Sequence, residues 1–103
     1  MKRLSNEQIG RVVERARAMS DVTRVRILDA LVRAELSVGQ LATTLEAEPS
    51  LMSKHLQVLF RAGLVVRRKD ASTVIYSLAT DQIVDICHYL GTPALDVDQG
   101  RLR

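Results

Sequence analysis

Apolar residues recur at helical spacing in four successive stretches of this chain, give way to two short β-rich runs, and return to helical spacing once more. In the first stretch Ile9, Val12, Val13 and Ala16 share one face, and Ser5 followed three positions later by Gln8 has capping-box form, so a helix is predicted from about Asn6 to Met19. Its other face carries Arg11, Glu14 and Arg15, so the apolar stripe needs a partner in its own core or in a second subunit. Asp21, an N-cap type, opens a second helix that runs to about Ala34. Val25, Leu28 and Val32 lie on one side of it and Ile27 and Leu31 on others, the wide apolar circumference of a central core helix. Ser37 with Gln40 repeats the capping-box spacing, and Val38, Leu41 and Leu45 give a short third helix its buried side.

Pro49 presets the first turn of a fourth helix. Met52, Leu56, Leu59 and Phe60 fall within one arc of it, while Ser50, Ser53, Lys54, Gln57 and Arg61 fill the opposite arc. Gly63 is placed to close it as a left-handed cap. Leu64 to Arg68 and Thr73 to Leu78 are β-rich runs around a turn near Asp70 and Ala71, which predicts a hairpin whose tip carries Arg67, Arg68 and Lys69. A last helix, about Asp81 to Leu90, stops at Gly91 with Pro93 beyond it. No repeat or linker divides the chain. The expectation is one domain over 1–103, with an ordered core over about 6–90 and a frayed tail over 91–103. The class is mainly α with a small β-hairpin, in the order four helices, two strands, helix. That order is a winged helix-turn-helix, and DNA binding is the first functional hypothesis it suggests.

Composition changes this picture little. The 103 residues are 47% apolar but only 3% aromatic, without Trp, which suits a modest core of Leu, Ile, Val and Ala in a domain small enough to gain from self-association. Charge says more. The net charge is only +3, yet Lys54, Arg61, Arg67, Arg68 and Lys69 lie between residues 54 and 69 with no acidic residue among them. From Asp70 to Asp98 the sign inverts, with Asp70, Asp81, Asp85, Asp96 and Asp98 and no Lys or Arg. One basic and one acidic surface follow, and the basic one is the footprint expected for a phosphate backbone. The single Cys87 cannot form an intramolecular disulfide, the N-terminus has no apolar signal core, and no apolar run nears the roughly 20 residues of a membrane span. A cytoplasmic, non-membrane protein is expected.

Several motifs in order, from Ala18-Met-Ser-Asp-Val-Thr-Arg-Val-Arg-Ile-Leu28 through Glu35-Leu-Ser-Val-Gly-Gln-Leu-Ala42, Ser53-Lys-His-Leu-Gln-Val-Leu59 and Ala62-Gly-Leu-Val65 to Val74-Ile-Tyr-Ser-Leu78, resemble the ArsR/SmtB family of bacterial winged-helix repressors over roughly residues 10 to 90. The resemblance implies a homodimer joined through its first and last helices, two winged helices set in successive grooves of an inverted-repeat operator on double-stranded DNA, and release on effector binding. On the fourth helix, Ser50, Ser53, Lys54 and Gln57 are the DNA-binding candidates, since short polar side chains admit the backbone to the groove. Lys54 and Gln57 are long enough for base edges, whereas Arg67, Arg68 and Lys69 suit phosphate or the minor groove. His55, at the border of the apolar arc, is read as a structural histidine with one hydrogen bond. The family often has Gly where Ala71 falls, so this turn must avoid positive φ or accept strain.

The family's usual metal positions are mostly vacant. Ser37 stands where soft-metal sensors carry Cys, with Gly39 two residues on; the Cys pair of some fourth helices maps to Val58 and Ala62; and the zinc positions of the last helix become Thr80, Gln82, Pro93 and Asp96. Asp81, Asp85 and His88 do share one face of the last helix, opposite Ile83, Ile86 and Leu90, and two copies near a symmetry axis would suit nickel, cobalt or zinc. A solvated acidic face is the preferred reading, so no cofactor is certain, and a divalent metal such as nickel or zinc is the one the alternative would bring. Cys87 points to the apolar side and is read as a small hydrophobe before a redox sensor. The competing class is a winged-helix protein-interaction module, or a repressor needing a companion protein; the polar stripe on the fourth helix argues against it. An enzyme is not expected, because two distant histidines and one thiol form no catalytic constellation.

Overall fold

Caps set the helix boundaries. Ser5 and Gln8 close a full capping box at the start of α1 (Asn6–Ala18), with Gln8 N to Ser5 Oγ at 3.1 Å and Ser5 N to Gln8 Oε1 at 2.8 Å. Asp21 caps α2 (Val22–Arg33) through the Arg24 N–H. Ser37 and Gln40 repeat the box for α3 (Val38–Leu45), and Pro49 occupies the first turn of α4 (Pro49–Arg61). The side chains of Ser5, Asp21 and Ser37 each satisfy a donor that the first helical turn would otherwise leave open. These details come from a computed structural model, which describes residues 2–94. The outer part of the expected tail, residues 95–103 with Asp96 and Asp98, lies outside the described residues.

The remaining elements are β1 (Leu36–Ser37), β2 (Val65–Asp70), β3 (Thr73–Leu78) and α5 (Gln82–Gly91). The sheet is antiparallel in the order β1-β3-β2. β1 is the addition to the expected pattern. Two residues carry no periodicity, and Leu36 and Ser37 are a strand only because they pair with Tyr76 and Ile75. The hairpin is longer than the sequence pattern suggested. β2 reaches Asp70, which pairs with Thr73, so the turn is Ala71–Ser72 and Ala71 takes φ 57°. This turn accepts the strain.

The core joins Ile27, Leu28 and Leu31 of α2, Leu41 and Ala42 of α3, Met52, Leu56 and Leu59 of α4, Val65 and Tyr76 of the hairpin, and Ile83 of α5. Each fully buried Leu, Ile or Met contributes about 1.5–3 kcal/mol, and α4 is held by three such anchors, all at 0% exposure. One expectation is corrected. Val25 and Val32, on the apolar circumference of α2, are exposed, because α5 leaves an open groove of about 380 Å³ along that side, lined in part by Val25, Val32, Ile83 and Cys87. Phe60 is half-buried and packs against the core. In α1 Ala18 alone is buried, so the Ile9, Val12 and Val13 stripe does not enter this chain's own core.

Candidate nucleic-acid interface

The surface of interest is built on α4. Its inner arc is anchored by Met52, Leu56 and Leu59, which turns Ser50, Ser53, Lys54, Gln57 and Arg61 outward, and all five are exposed. No side chain caps its N-terminus, where Glu48 makes no cap hydrogen bond. The first-turn N–H groups and the positive end of the helix dipole therefore stay available to an anion. Leu51 and Val58, seven positions apart on one flank, are also exposed and form an apolar edge beside the polar stripe.

Three contacts fix the helix in place. At its C-terminus Arg15 of α1 donates from Nε to Ala62 O at 2.9 Å, placing a cation against the last carbonyls where the dipole favours one. Gly63 turns the chain with φ 80°, and a Cβ there would meet Arg15 Nη2 at 3.1 Å. Arg15 belongs by periodicity to the polar face of α1, and no local pattern reveals its contact 47 residues away. In the middle of α4, His55 is bonded to Arg24 as a structural histidine, with Asp21 Oδ2 at 3.9 Å. Arg24 also donates to Ala18 O at 2.6 Å and Arg17 O at 3.3 Å, so one guanidinium gathers α1, α2 and α4.

The wing divides its cations. Successive strand residues face opposite ways, and the register pairs Arg67 with Tyr76 and Lys69 with Val74, on the face that buries Val65 and Tyr76. Arg68 pairs with Ile75 on the other face. Arg67 is seated over the Phe60 ring, its Cζ 4.0 Å from the centroid, which couples the wing to the end of α4. Arg68 instead donates to Glu35 Oε1 at 2.8 Å and lies 3.8 Å from Asp70 Oδ2. Three adjacent basic residues therefore do not make one patch. Arg67 and Lys69 share the side of α4; Arg68 does not.

The last helix carries no comparable construction. Asp81, Asp85 and His88 are exposed, and among the described residues no three His, Cys, Asp or Glu side chains gather to hold a metal ion. Cys87 is half-buried in the groove between α2 and α5. Burial, and then the nearby charge of Asp29, push its thiol above the ordinary range. A thiol so placed is a poor nucleophile at neutral pH. Among the described residues no helix is long and apolar enough to cross a membrane.

Comparison with known proteins points the same way. Residues 21–66 match the family described as bacterial regulatory protein, arsR family. The chain is 42% identical over 77 residues to the transcriptional activator HlyU of Vibrio cholerae, covering 72% of this chain and 71% of that one. It is 41% identical over 69 residues to the nodulation protein NolR of Rhizobium meliloti, covering 67% and 57%. The structure of V. cholerae HlyU superposes with a TM-score of 0.74 at 37% identity over 84% of this chain and 94% of the other. A homodimeric winged helix-turn-helix DNA-binding domain from Mycobacterium bovis gives 0.77 at 25% identity over 87% and 86%. The cadmium metal-sensor CMTR of Mycobacterium tuberculosis gives 0.67 at 35% over 88% and 97%.

Proposed function

This chain belongs to the arsR family of bacterial regulatory proteins, and from that membership we propose that it is a homodimeric, sequence-specific transcriptional repressor that binds an inverted-repeat operator on double-stranded DNA in the cytoplasm. One observation carries the reading: α4 turns Ser50, Ser53, Lys54, Gln57 and Arg61 to the exterior, and the wing is seated against the end of the same helix through Arg67 over Phe60. Ser50, Ser53, Lys54 and Gln57 enter the major groove, with Lys54 and Gln57 at base edges. Arg67 and Lys69 reach the phosphates or the minor groove beside it, and Arg68 joins them once free of Glu35.

A symmetric operator needs a symmetric protein. Leu4 and Val12 at α1 adjoin Ile86 and Leu90 of α5 around one groove, and all four are exposed. With Ile9 and Val13 they form an apolar surface that a second copy covers through the first and last helices.

At the positions where the family's metal ligands fall, Ser37, Val58, Ala62, Thr80 and Gln82 offer no thiolate or imidazole, and among the described residues Asp81, Asp85 and His88 of one chain do not gather into a group that could hold an ion. A nickel or zinc site at those three would draw its ligands from both subunits of the dimer, and that is what the metal titration tests.

The test is fluorescence anisotropy on labelled DNA from upstream of the protein's own gene, with nickel and then zinc titrated into the complex. Tight, salt-sensitive binding that ignores metal is expected. A metal-dependent change would restore Asp81, Asp85 and His88 as the site, and no binding at all would favour an interaction module.

A further inference from the structure

Lys69 and Arg68 are neighbours in sequence, but only Arg68 is already occupied. Glu35 sits immediately before β1, the strand on the far side of β3 from β2. To reach it the Arg68 side chain crosses β3, a span of about two strand spacings of roughly 4.8 Å each, and leads away from the face that Arg67 and Lys69 share with α4. With Asp70 at 3.8 Å as well, two carboxylates attend one guanidinium. Among the described residues Arg67 and Lys69 have no such ion-pair partner.

We propose that Glu35 sets the affinity of the DNA interface: in the free protein it holds Arg68 away from the phosphates, and it yields Arg68 only when a phosphate displaces it. The inference rests on the DNA-binding reading above. Both side chains are about half exposed, at 55% for Arg68 and 52% for Glu35, so water and salt screen the pair and leave it exchangeable. The incoming group is chemically matched, because a phosphate accepts the same planar fork of donors as a carboxylate does. Arg68 has the length to leave the sheet face for the open edge of β2, which pairs on one side only. Glu35 therefore acts as an internal rival of the operator backbone. It lowers binding to every sequence alike and leaves the discrimination between sites unchanged.

The experiment compares wild type, Glu35→Gln, Arg68→Ala and the double variant on operator and on unrelated duplex, with circular dichroism to verify the fold. Glu35→Gln is isosteric at an exposed position, so it keeps the structure. It is expected to bind both duplexes roughly two- to five-fold more tightly, the range of an exposed ion pair. That gain should vanish in the Arg68→Ala background. A gain that persists without Arg68 would mean simple loss of negative charge near DNA and would overturn the proposal. Weaker binding by Glu35→Gln would overturn it too, making Glu35 a support that presents Arg68. Salt-sensitive wild-type binding with Glu35→Gln indistinguishable from it would sink this inference alone. Failure of the wild type to bind any duplex would sink the DNA-binding reading with it.

Discussion

Nη1 of Arg24 lies 3.3 Å from Nδ1 of His55, which ties the middle of the recognition helix to the corner between α1 and α2. Removing either partner leaves the other without its contact in a half-buried setting. His55→Ala or Arg24→Ala should destabilise the fold by about 1–2 kcal/mol, a fall in Tm of roughly 5–10 °C in a domain of this size. An unchanged Tm in both would show that the contact carries no weight.

Acid should expose the adjacent cap. The Arg24 N–H bonded to Asp21 holds that carboxyl below its ordinary value; desolvation opposes this, and the nearby His55 and Arg24 charges add to it. A carboxylate whose folded pKa is depressed contributes stability above its unfolded value of about 3.9 and loses it as pH falls through the folded value. Asp21→Asn keeps a capping side chain but does not titrate. Its Tm deficit relative to wild type should be constant from pH 8 to 5 and shrink below about pH 4; a deficit flat to pH 3 would refute the linkage.

Two backbone positions predict opposite signs. Ala71 occupies the left-handed region at φ 57°, so Ala71→Gly should stabilise by about 0.5–1 kcal/mol. Gly63→Ala meets the same penalty at φ 80° and crowds Arg15 in addition, so it should cost about 1 kcal/mol or more. Urea midpoints measured side by side decide both.

DNA variants should separate by position. Lys69→Ala is expected to weaken binding to all sequences and flatten the salt dependence by about one unit. Gln57→Ala should instead cost about 1–3 kcal/mol of discrimination at one base pair and leave the slope unchanged. Anisotropy titrations on an operator series and its point variants would expose any exchange of these roles.

Cys87 should be slow to react. With its thiol raised by burial and then by Asp29, alkylation by iodoacetamide should reach half its maximal rate only above the ordinary cysteine range. Mild oxidant should leave DNA binding intact in wild type and Cys87→Ser alike. Loss confined to the wild type would make Cys87 a sensor.

Helix ends were legible because caps are local: Ser5, Asp21, Ser37 and Pro49 each act on the residues that follow them. The outward arc of α4 was legible for the same reason, one helix period being enough to sort Met52 from Lys54. What periodicity could not supply was distance. Arg15 reaching Ala62, Arg68 reaching Glu35 and Leu36 pairing with Tyr76 all join segments whose own patterns say nothing of each other. Sequence adjacency also misled where strand alternation overrode it, placing Arg68 on the face away from Arg67. Val25 and Val32 looked like core because the pattern records polarity, not whether a neighbour arrives to cover it.

The pairing of Leu36 with Tyr76 carries a consequence for how the chain reaches its structure. A hairpin is ordinarily a self-sufficient local unit, formed early from near neighbours. Here its inner strand is finished by a segment some forty residues upstream, so the wing cannot assume its final pose until α3 and α4, the elements threaded between, have docked. The groove-reading helix and the wing beside it are thereby delivered by one cooperative closure, and a chain cut after Arg61 should not present a working recognition helix at all.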